Sequence, residues 1–353
     1  MVLGQNLIFD VRPKMRREDL FDREKELEDL HSNLDVPMII ITGIRRIGKS
    51  SILNVFLNEI DYPTIILDLR ALRNNYGLKE FYDILSQSIS SKIEKLIDFI
   101  KSISAIRIAG NEIEIKWKGK GALNLTSFFD HINRKRIIIA FDEAQKLRGP
   151  RSNEILNAIA HAYDYDKNIS FIFTGSEIGL LYDFLKIKDT TSPLYGRYYY
   201  NLTVERFSKD IAKDFLRSGF KEYGMTIDEN TIEECVSFFD GIPGWLTFYG
   251  NEVVRGHKRF NAIKEMAVNL AKNELRNLIK NRGSKRYVTV LEGIALGKNS
   301  WSKIKKYVEE KEETTISKSI LYNILNSLEE LSIIKDYEFI DPVYREAAKR
   351  LYH

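Results

Sequence analysis

The sequence of 353 residues suits two or three domains, because domains average about 150 residues. Its 44% hydrophobic and 29% charged residues can supply packed cores and a solvated surface. The net charge of only +4 does not by itself indicate a nucleic-acid binder. The single cysteine excludes an internal disulfide framework and indicates a reducing compartment. We find neither a signal peptide nor an apolar run of roughly 20 residues, so we expect a cytoplasmic protein without membrane contact.

The first 200 residues alternate between strand and helix patterns. Continuous apolar runs predict buried parallel strands at Met38–Thr42, Pro63–Leu69, Arg136–Phe141 and Ile169–Thr174. Apolar periodicity predicts helices around Leu20–Leu30, over Ser50–Ile60 and through most of Leu78–Ile103. Between Ile106 and Trp117, alternation on both sides of Gly110-Asn111 predicts a β-hairpin. Together these patterns predict a doubly wound α/β domain.

The strand signal fades from about Asn201, and helical patterns follow. They cover Val204–Gly219, Thr231–Phe239, Trp245–Val254 and Ala262–Leu278. The polar stretch Asn281–Lys285 predicts a boundary. Beyond it, helical patterns cover Tyr287–Leu296, Ser300–Glu310 and Ser317–Leu331. An extended segment over Ile333–Ile340 and a short helix from Asp341 follow. This order of elements predicts a winged helix-turn-helix. We therefore expect a core over residues 1–200, a helical domain over 201–284 and a winged helix over 285–353.

The segment Gly43–Ser50 fits the phosphate-binding pattern G-x-x-x-x-G-K-[ST]. Glycines at both ends let backbone N–H groups turn toward phosphates, and the following helix adds its positive dipole end. We expect Lys49 to reach the β- and γ-phosphates of ATP or ADP and Ser50 to ligate Mg²⁺. The alternative is an ordinary glycine-rich turn. The candidate phosphate-binding residues are Gly43, Ile44, Arg45, Arg46, Ile47, Gly48, Lys49, Ser50 and Ser51.

Two acidic residues, Asp142 and Glu143, end an apolar strand. Ligands bind at the carboxyl ends of strands in open α/β sheets. Asp142 is therefore expected to hold Mg²⁺, and Glu143 to act as the general base that polarises the attacking water. The alternative is a pair of acids that favour a helix N-terminus.

Two further positions are candidates for catalysis. Thr174 or Ser176, at the end of the next strand, can reach the γ-phosphate or the water, although turn hydroxyls also satisfy backbone groups. Arg197 can supply a cation for transition-state charge, in its own subunit or across an interface. A lone Arg is more often solvated or paired. The five histidines and one cysteine show no metal-ligand spacing.

Three segments resemble the archaeal ATPase family of STAND-class P-loop NTPases, which are relatives of AAA+ proteins. They are Gly43–Ser50, the strand end Asp142–Gln145, and Ser192–Arg197. Leu20–Leu27 also resembles the N-terminal motif of the family, although the family usually has Gly where this chain has Asp22. The resemblance implies a RecA/AAA+-like parallel-sheet core with a helical lid and a C-terminal winged helix.

The same resemblance implies roles for residues outside the phosphate loop. Arg23 and Glu24 match an Arg-Glu pair that lies near the adenine in such proteins. Pro243, in Gly241–Gly244, matches an element that packs near the base and couples the lid to the nucleotide; a Gly-Pro helix break is compatible with this role. The implied activity is a slow or partner-regulated ATPase that acts as a molecular switch.

Two alternatives to the switch remain open. The first is a DNA-acting AAA+-type ATPase, such as a replication initiator or loader, that uses residues 285–353. Ser317–Leu331 would be its recognition helix and Lys298, Lys303, Lys305 and Lys306 its phosphate contacts. Residues 281–353, however, carry 13 Lys+Arg against 11 Asp+Glu, which favours an unknown protein partner or an autoinhibitory contact. The second alternative is a nucleotide-binding scaffold without turnover.

Overall fold

The structure is a computed structural model that describes residues 7–352 except positions 74, 102, 110, 111, 118, 121, 257, 258, 281 and 283. The chain divides into two compact units. We call Arg23–Gly43 and Lys49–Val204 the sheet unit. We call Met1–Asp22, Ile44–Gly48 and Glu205–His353 the helical unit. The predicted phosphate loop is therefore divided, since its first glycine and its lysine belong to the sheet unit and residues 44–48 to the helical unit.

In the described part of the sheet unit, five parallel strands form a sheet in the order β2-β5-β6-β1-β7. Their bounds are β1 Met38–Thr42, β2 Thr64–Asp68, β5 Ile137–Asp142, β6 Ile169–Gly175 and β7 Tyr200–Thr203. Strands β1, β5 and β6 are buried along their whole length, as in parallel sheets covered on both faces. Thr42 pairs with Gly175, and Asp68 pairs with Asp142. The carboxyl ends of these strands thus share one edge.

Helices and a two-stranded hairpin complete the sheet unit. They are α1 Glu24–Ser32, α2 Lys49–Glu59, α3 Leu78–Ser90, α4 Ile93–Ile100, the hairpin strands β3 Ile106–Ala109 and β4 Glu112–Ile115, α5 Leu125–Ile132, α6 Ser152–Tyr165 and α7 Ile178–Leu185. Phe141, Phe171 and Phe173 are fully buried and pack ring against ring at the sheet. This apolar core supports the edge where β1, β5 and β6 end.

The helical unit contains a group of helices followed by a winged helix. The first group is α8 Lys209–Glu222, α9 Glu229–Phe239, α10 Pro243–Val254 and α11 Phe260–Lys280. The winged helix consists of α12 Arg286–Ala295, α13 Trp301–Glu312, α14 Lys318–Glu330, β8 Ile334–Lys335, β9 Glu338–Phe339 and α15 Pro342–Ala348. Phe9 packs where added Cβ atoms at Gly219 and Gly250 would overlap its ring. Helix α15 packs against α11, which joins the two groups.

The structure agrees with most predicted elements and adds others. It confirms the four predicted strands and both strands of the hairpin, whose turn at Gly110-Asn111 lies outside the described residues. Sequence patterns did not indicate α5, α6, α7 or β7. Strand β7 is short and at the sheet edge, with only Leu202 buried, so it lacks a continuous apolar run. The single helical stretch predicted over Leu78–Ile103 is two helices separated at Ser91-Lys92.

Candidate functional site

The phosphate loop follows β1 directly and ends where α2 begins. Gly48 has a φ of +101°, a backbone conformation that only glycine adopts readily. Lys49 is the first residue of α2, and its side chain is buried. Its Nζ donates to the carbonyl oxygen of Gly43 at 2.8 Å. The lysine ammonium is thus bound to the first residue of the loop. The N-terminus of α2, where Lys49 lies, would attract an anion.

Oxygen atoms of Ser50, Asp142 and Thr174 lie close together at the carboxyl edge of the sheet. Ser50 Oγ donates to Asp142 Oδ2 at 3.0 Å, and Thr174 Oγ1 donates to Asp142 Oδ1 at 2.5 Å. Desolvation and the nearby charge of Glu143 raise the pKa of Asp142. A buried carboxylate and a hydroxyl are ligands that suit Mg²⁺, and a divalent cation would offset the cost of burying the carboxylate charge. The residues present therefore fit the expected ion.

Glu143 adopts a left-handed backbone conformation with a φ of +58°. Its N–H donates to Thr174 Oγ1 at 3.1 Å. Its Oε2 accepts a hydrogen bond from Ser176 Oγ at 2.7 Å and another from Gln145 Nε2. A non-glycine residue in this conformation costs free energy and is often found at functional sites. The carboxylate of Glu143 is consequently held in one place by two side chains.

Thr174 lies between the two acidic residues and is fully buried. Because its single hydroxyl accepts from Glu143 N–H and donates to Asp142, it orients both residues. Sequence reasoning considered Thr174 and Ser176 for contact with phosphate or water. It did not consider their hydrogen bonds to the two acids, and it gave no role to Gln145. Only the adjacency of β5 and β6 shows these contacts.

Arg197 lies away from these residues. Its Nε donates to Asp164 at 3.0 Å and its Nη2 at 2.5 Å, and it also donates to the carbonyl oxygen of Pro193. Asp164 is in the last turn of α6, and Arg197 precedes β7, a strand parallel to β1. Arg197 therefore belongs to the amino edge of the sheet, opposite the carboxyl edge where Asp142 ends β5. In this arrangement it is a paired arginine.

The N-terminal motif has local features of its own. Asp22 has a φ of +49°, which is a left-handed backbone conformation. Glycine adopts this conformation easily, and glycine is the usual residue at this position in the family that the motif resembles. Arg23 is buried and pairs with Glu26 at 2.7 Å, and Glu24 begins α1. The departure at position 22 thus preserves a backbone conformation that glycine adopts easily.

Within the helical unit, Arg46 of the phosphate loop contacts α10 and α11. Its carbonyl oxygen accepts from Gly244 N–H at 2.9 Å, next to Pro243 at the start of α10. Its guanidinium stacks 4.0 Å from the ring centroid of Trp245. It also forms a two-bond ion pair with Glu274, at 2.5 and 2.8 Å. Arg46 has a φ of +63°, so these contacts hold a strained residue of the loop.

The contacts of Arg46 continue into the last helix of the winged helix. Tyr344 Oη donates to Glu274 Oε2 at 2.6 Å. Trp245 Nε1 donates to Asp341 Oδ2 at 2.8 Å, while Asp341 Oδ1 caps α15 by accepting from Val343 N–H. We call Arg46, Trp245, Glu274, Asp341 and Tyr344 the Arg46 cluster. Sequence reasoning missed it, because its members are far apart in the chain.

Among the described helices, none combines the length and apolar character needed to cross a membrane.

Comparison with known proteins gives two family matches. The model of an ATPase domain found predominantly in Archaea matches residues 20–248. The model of the C-terminal winged helix-turn-helix domain of MCM proteins matches residues 281–346. No curated protein sequence matches the chain significantly.

Several solved structures are similar. The Walker-type ATPase paby2304 of Pyrococcus abyssi is 39% identical, with a TM-score of 0.84 over 97% of this chain and 100% of that chain. A STAND protein with a tetratricopeptide-repeat sensor from Pyrococcus horikoshii is 15% identical, with a TM-score of 0.44 over 99% of this chain and 44% of that one. The Aeropyrum pernix ORC1 protein, solved with DNA, is 14% identical, with a TM-score of 0.48 over 94% and 90%. These last two likenesses are too low to indicate what this chain binds.

The expected fold is confirmed as a parallel-sheet ATPase core with helices and a C-terminal winged helix. The family model covers well over half of the residues, and the Pyrococcus abyssi ATPase matches over nearly the whole length. The chain therefore belongs to the family of ATPases whose domain is found predominantly in Archaea.

Proposed function

We propose that this chain binds ATP or ADP with Mg²⁺ at residues 43–51 and hydrolyses ATP. The observation that carries the proposal is the convergence of Lys49, Ser50, Asp142 and Glu143 at one edge of the sheet. Backbone N–H groups of the loop and Lys49 would bind the phosphates. Ser50 and Asp142 would hold Mg²⁺, which when bound supplies positive charge beside the phosphates.

In the proposed reaction, Glu143 accepts the proton of the attacking water. Its carboxylate is fixed by Ser176 and Gln145, so little reorganisation is needed when the water arrives. Thr174 positions both acids and is assigned a positioning role rather than a contact with phosphate. Lys49 leaves the carbonyl oxygen of Gly43 to follow the developing charge.

The test compares Glu143→Gln with the wild-type chain. We expect ATP binding to persist while phosphate release falls by about 100-fold or more, since general bases contribute roughly 10²–10⁴-fold. Nucleotide affinity by calorimetry and phosphate release under saturating ATP measure the two effects. Glu154→Gln, on an exposed face of α6, is the matched control and should behave as wild type. Unchanged turnover in Glu143→Gln would exclude the base assignment.

Turnover is proposed to be slow or partner-regulated, with the chain acting as a nucleotide-driven switch. Support comes from the Arg46 cluster, because it ties a phosphate-loop residue to α10, α11 and α15 of the helical unit. A switch requires differential contacts in its two states, and these contacts can supply the difference. Pro243 is proposed as part of this coupling, and Arg23 and Glu24 as contacts of the base. A chain that binds ATP but releases no phosphate with any partner would instead be a scaffold.

For the winged helix we propose a protein partner rather than duplex DNA. Two lysines of the expected basic tract are paired along α13, Lys305 with Glu309 at 3.2 Å and Lys306 with Glu310 at 3.7 Å. Pairs of this kind reduce the positive footprint that binds phosphates. On α14, Tyr322 is 61% exposed, an amphipathic side chain of the type enriched at protein interfaces.

Titration with duplex DNA at several salt concentrations separates the two partners. We expect weak binding that does not depend on residues 285–353. Duplex binding that falls steeply with salt and is lost in a Lys303→Glu, Lys306→Glu variant would favour the DNA-acting alternative. We also propose domain boundaries at residues 200 and 284. The core would carry out the nucleotide chemistry, and residues 285–353 would contact the partner.

A further inference from the structure

Three side chains with metal-binding atoms meet at the amino edge of the sheet. They are Asp130 in α5, His161 in α6 and Asp166, which directly follows α6. One ligand atom from each lies within 4.8 Å of the others, and His161 Nε2 is 2.9 Å from Asp130 Oδ1. Among the described residues, this is the group that offers three such atoms. It is separate from the acids at the carboxyl edge, since β5 alone spans roughly 20 Å between the two edges.

Asp166 gives this cluster a property that a surface ion pair lacks. The residue is only 4% exposed. Its Oδ1 accepts from Asn133 Nδ2 at 2.9 Å, whereas its buried Oδ2 has no hydrogen-bond partner within the described part of the chain. A buried carboxylate oxygen without a partner costs free energy unless a cation or donor satisfies it. This carboxylate, with one oxygen unpartnered, is the buried member of the group that also holds the imidazole and the second carboxylate.

The surroundings hold these ligands in place. Asn133 accepts from Asn168 N–H at 3.0 Å while it donates to Asp166, which fixes the carboxylate against the loop before β6. The ring of Tyr165 packs on the imidazole of His161, with centroids 4.9 Å apart. Outer contacts that orient ligands in this way are typical of metal sites.

We propose that Asp130, His161 and Asp166 bind a divalent transition-metal ion of the Zn²⁺ type. One imidazole and two carboxylates suit this class of ion, and two carboxylate charges balance a dication. Three protein ligands leave positions for water. The ion would join α5 to the end of α6 and thereby stabilise the amino edge of the sheet unit. Sequence spacing gave no sign of it, because 31 residues separate Asp130 from His161.

Cobalt(II) absorption tests the site on the full-length chain without an affinity tag, freed of metal and with neither nucleotide nor Mg²⁺ present. We expect one Co²⁺ ion to bind with a visible ligand-field spectrum that Zn²⁺ abolishes. The wild-type melting temperature should rise with Zn²⁺, as for any ligand of the folded state. His161→Ala and Asp130→Asn should each weaken binding at least about tenfold, and Asn133→Ala by about 10–100-fold.

Two variants serve as matched controls. His131→Ala removes an exposed histidine from α5, the helix that carries Asp130. Asp142→Asn removes the acid that is proposed to bind Mg²⁺ at the carboxyl edge of the sheet. Both should retain the Co²⁺ spectrum. The proposal is overturned if wild type shows no spectrum at a large excess of Co²⁺, or if the spectrum survives in His161→Ala. Because nucleotide is absent, either outcome leaves the proposed ATPase function untouched.

Discussion

The single hydroxyl of Thr174 forms hydrogen bonds with two neighbouring acidic residues, so one substitution at this position affects both of them. The hydroxyl is both donor and acceptor, so removing it leaves Asp142 Oδ1 and Glu143 N–H each without a partner that they now have. The threonine follows from the apolar pattern of β6 as a strand residue, but its role follows only from the neighbouring β5. At this scale the function of a side chain depends on what lies across the sheet.

We predict that Thr174→Val lowers the free energy of unfolding by about 1–3 kcal/mol, since buried polar groups lose hydrogen bonds. Phosphate release should fall as well, because both acids lose their orientation. Urea unfolding and steady-state turnover measure the two effects. Thr174→Ser retains the hydroxyl and should recover most of the turnover. Loss of turnover in Thr174→Ser but not in Thr174→Val would mean that the methyl group, rather than the hydroxyl, matters.

Helices α10 and α11 contact Arg46 of the phosphate loop, α10 through Gly244 and α11 through Glu274. Gly244 permits this approach, because an added Cβ there would lie 2.6 Å from Arg46 Cβ. The ion pair between Arg46 and Glu274 is partly exposed, with side chains 23% and 35% accessible. Solvent therefore screens part of the attraction between the two charges.

We predict that Glu274→Gln destabilises the protein by about 1–2 kcal/mol, because Arg46 and Tyr344 lose a charged acceptor. A double-mutant cycle with Arg46→Met should show positive coupling between the two positions. Denaturant unfolding measures it. Additive effects would indicate that the pair contributes no interaction energy. Glu265→Gln, which breaks an exposed pair with Arg350, is the control and should change stability by less than about 1 kcal/mol.

Three buried tyrosines make the stability of the protein depend on pH in the alkaline range. Tyr76 donates to the carbonyl oxygen of Leu147 at 2.8 Å, and burial raises its pKa from 10.0 to about 12. Burial likewise raises the pKa values of Tyr249 and Tyr344. The unfolded chain loses these protons at lower pH than the folded chain. The stability that these tyrosines contribute is therefore fully present below pH 10 and falls as the pH rises toward 12.

We predict that Tyr76→Phe reduces the slope of stability against pH between about 10 and 12, because one proton fewer is released on unfolding. Denaturant midpoints at several alkaline pH values measure this slope. Tyr165→Phe, at a tyrosine that is 70% exposed, should leave the slope unchanged. A slope identical to wild type in Tyr76→Phe would show that other groups dominate alkaline unfolding.

Features that are local in the chain can be predicted from the sequence alone. The phosphate loop, its strand and its helix are contiguous. Four of the five strands in the parallel sheet are apolar runs, so composition and spacing suffice to predict them. The winged helix was predicted from its helix order in the same way, and the family match agrees.

Contacts between residues that are distant in the chain follow from the folded structure and cannot be predicted from local patterns. Strand order places Thr174 beside Asp142, while strand direction puts Arg197 at the opposite edge of the sheet. Folding also unites the Arg46 cluster, and it brings Asp130 and Asp166 to His161; neither group has a sequence pattern. Packing of the apolar faces brings together side chains that lie on separate elements. The apolar periodicity predicts the elements, but it does not indicate which polar residues will be partners.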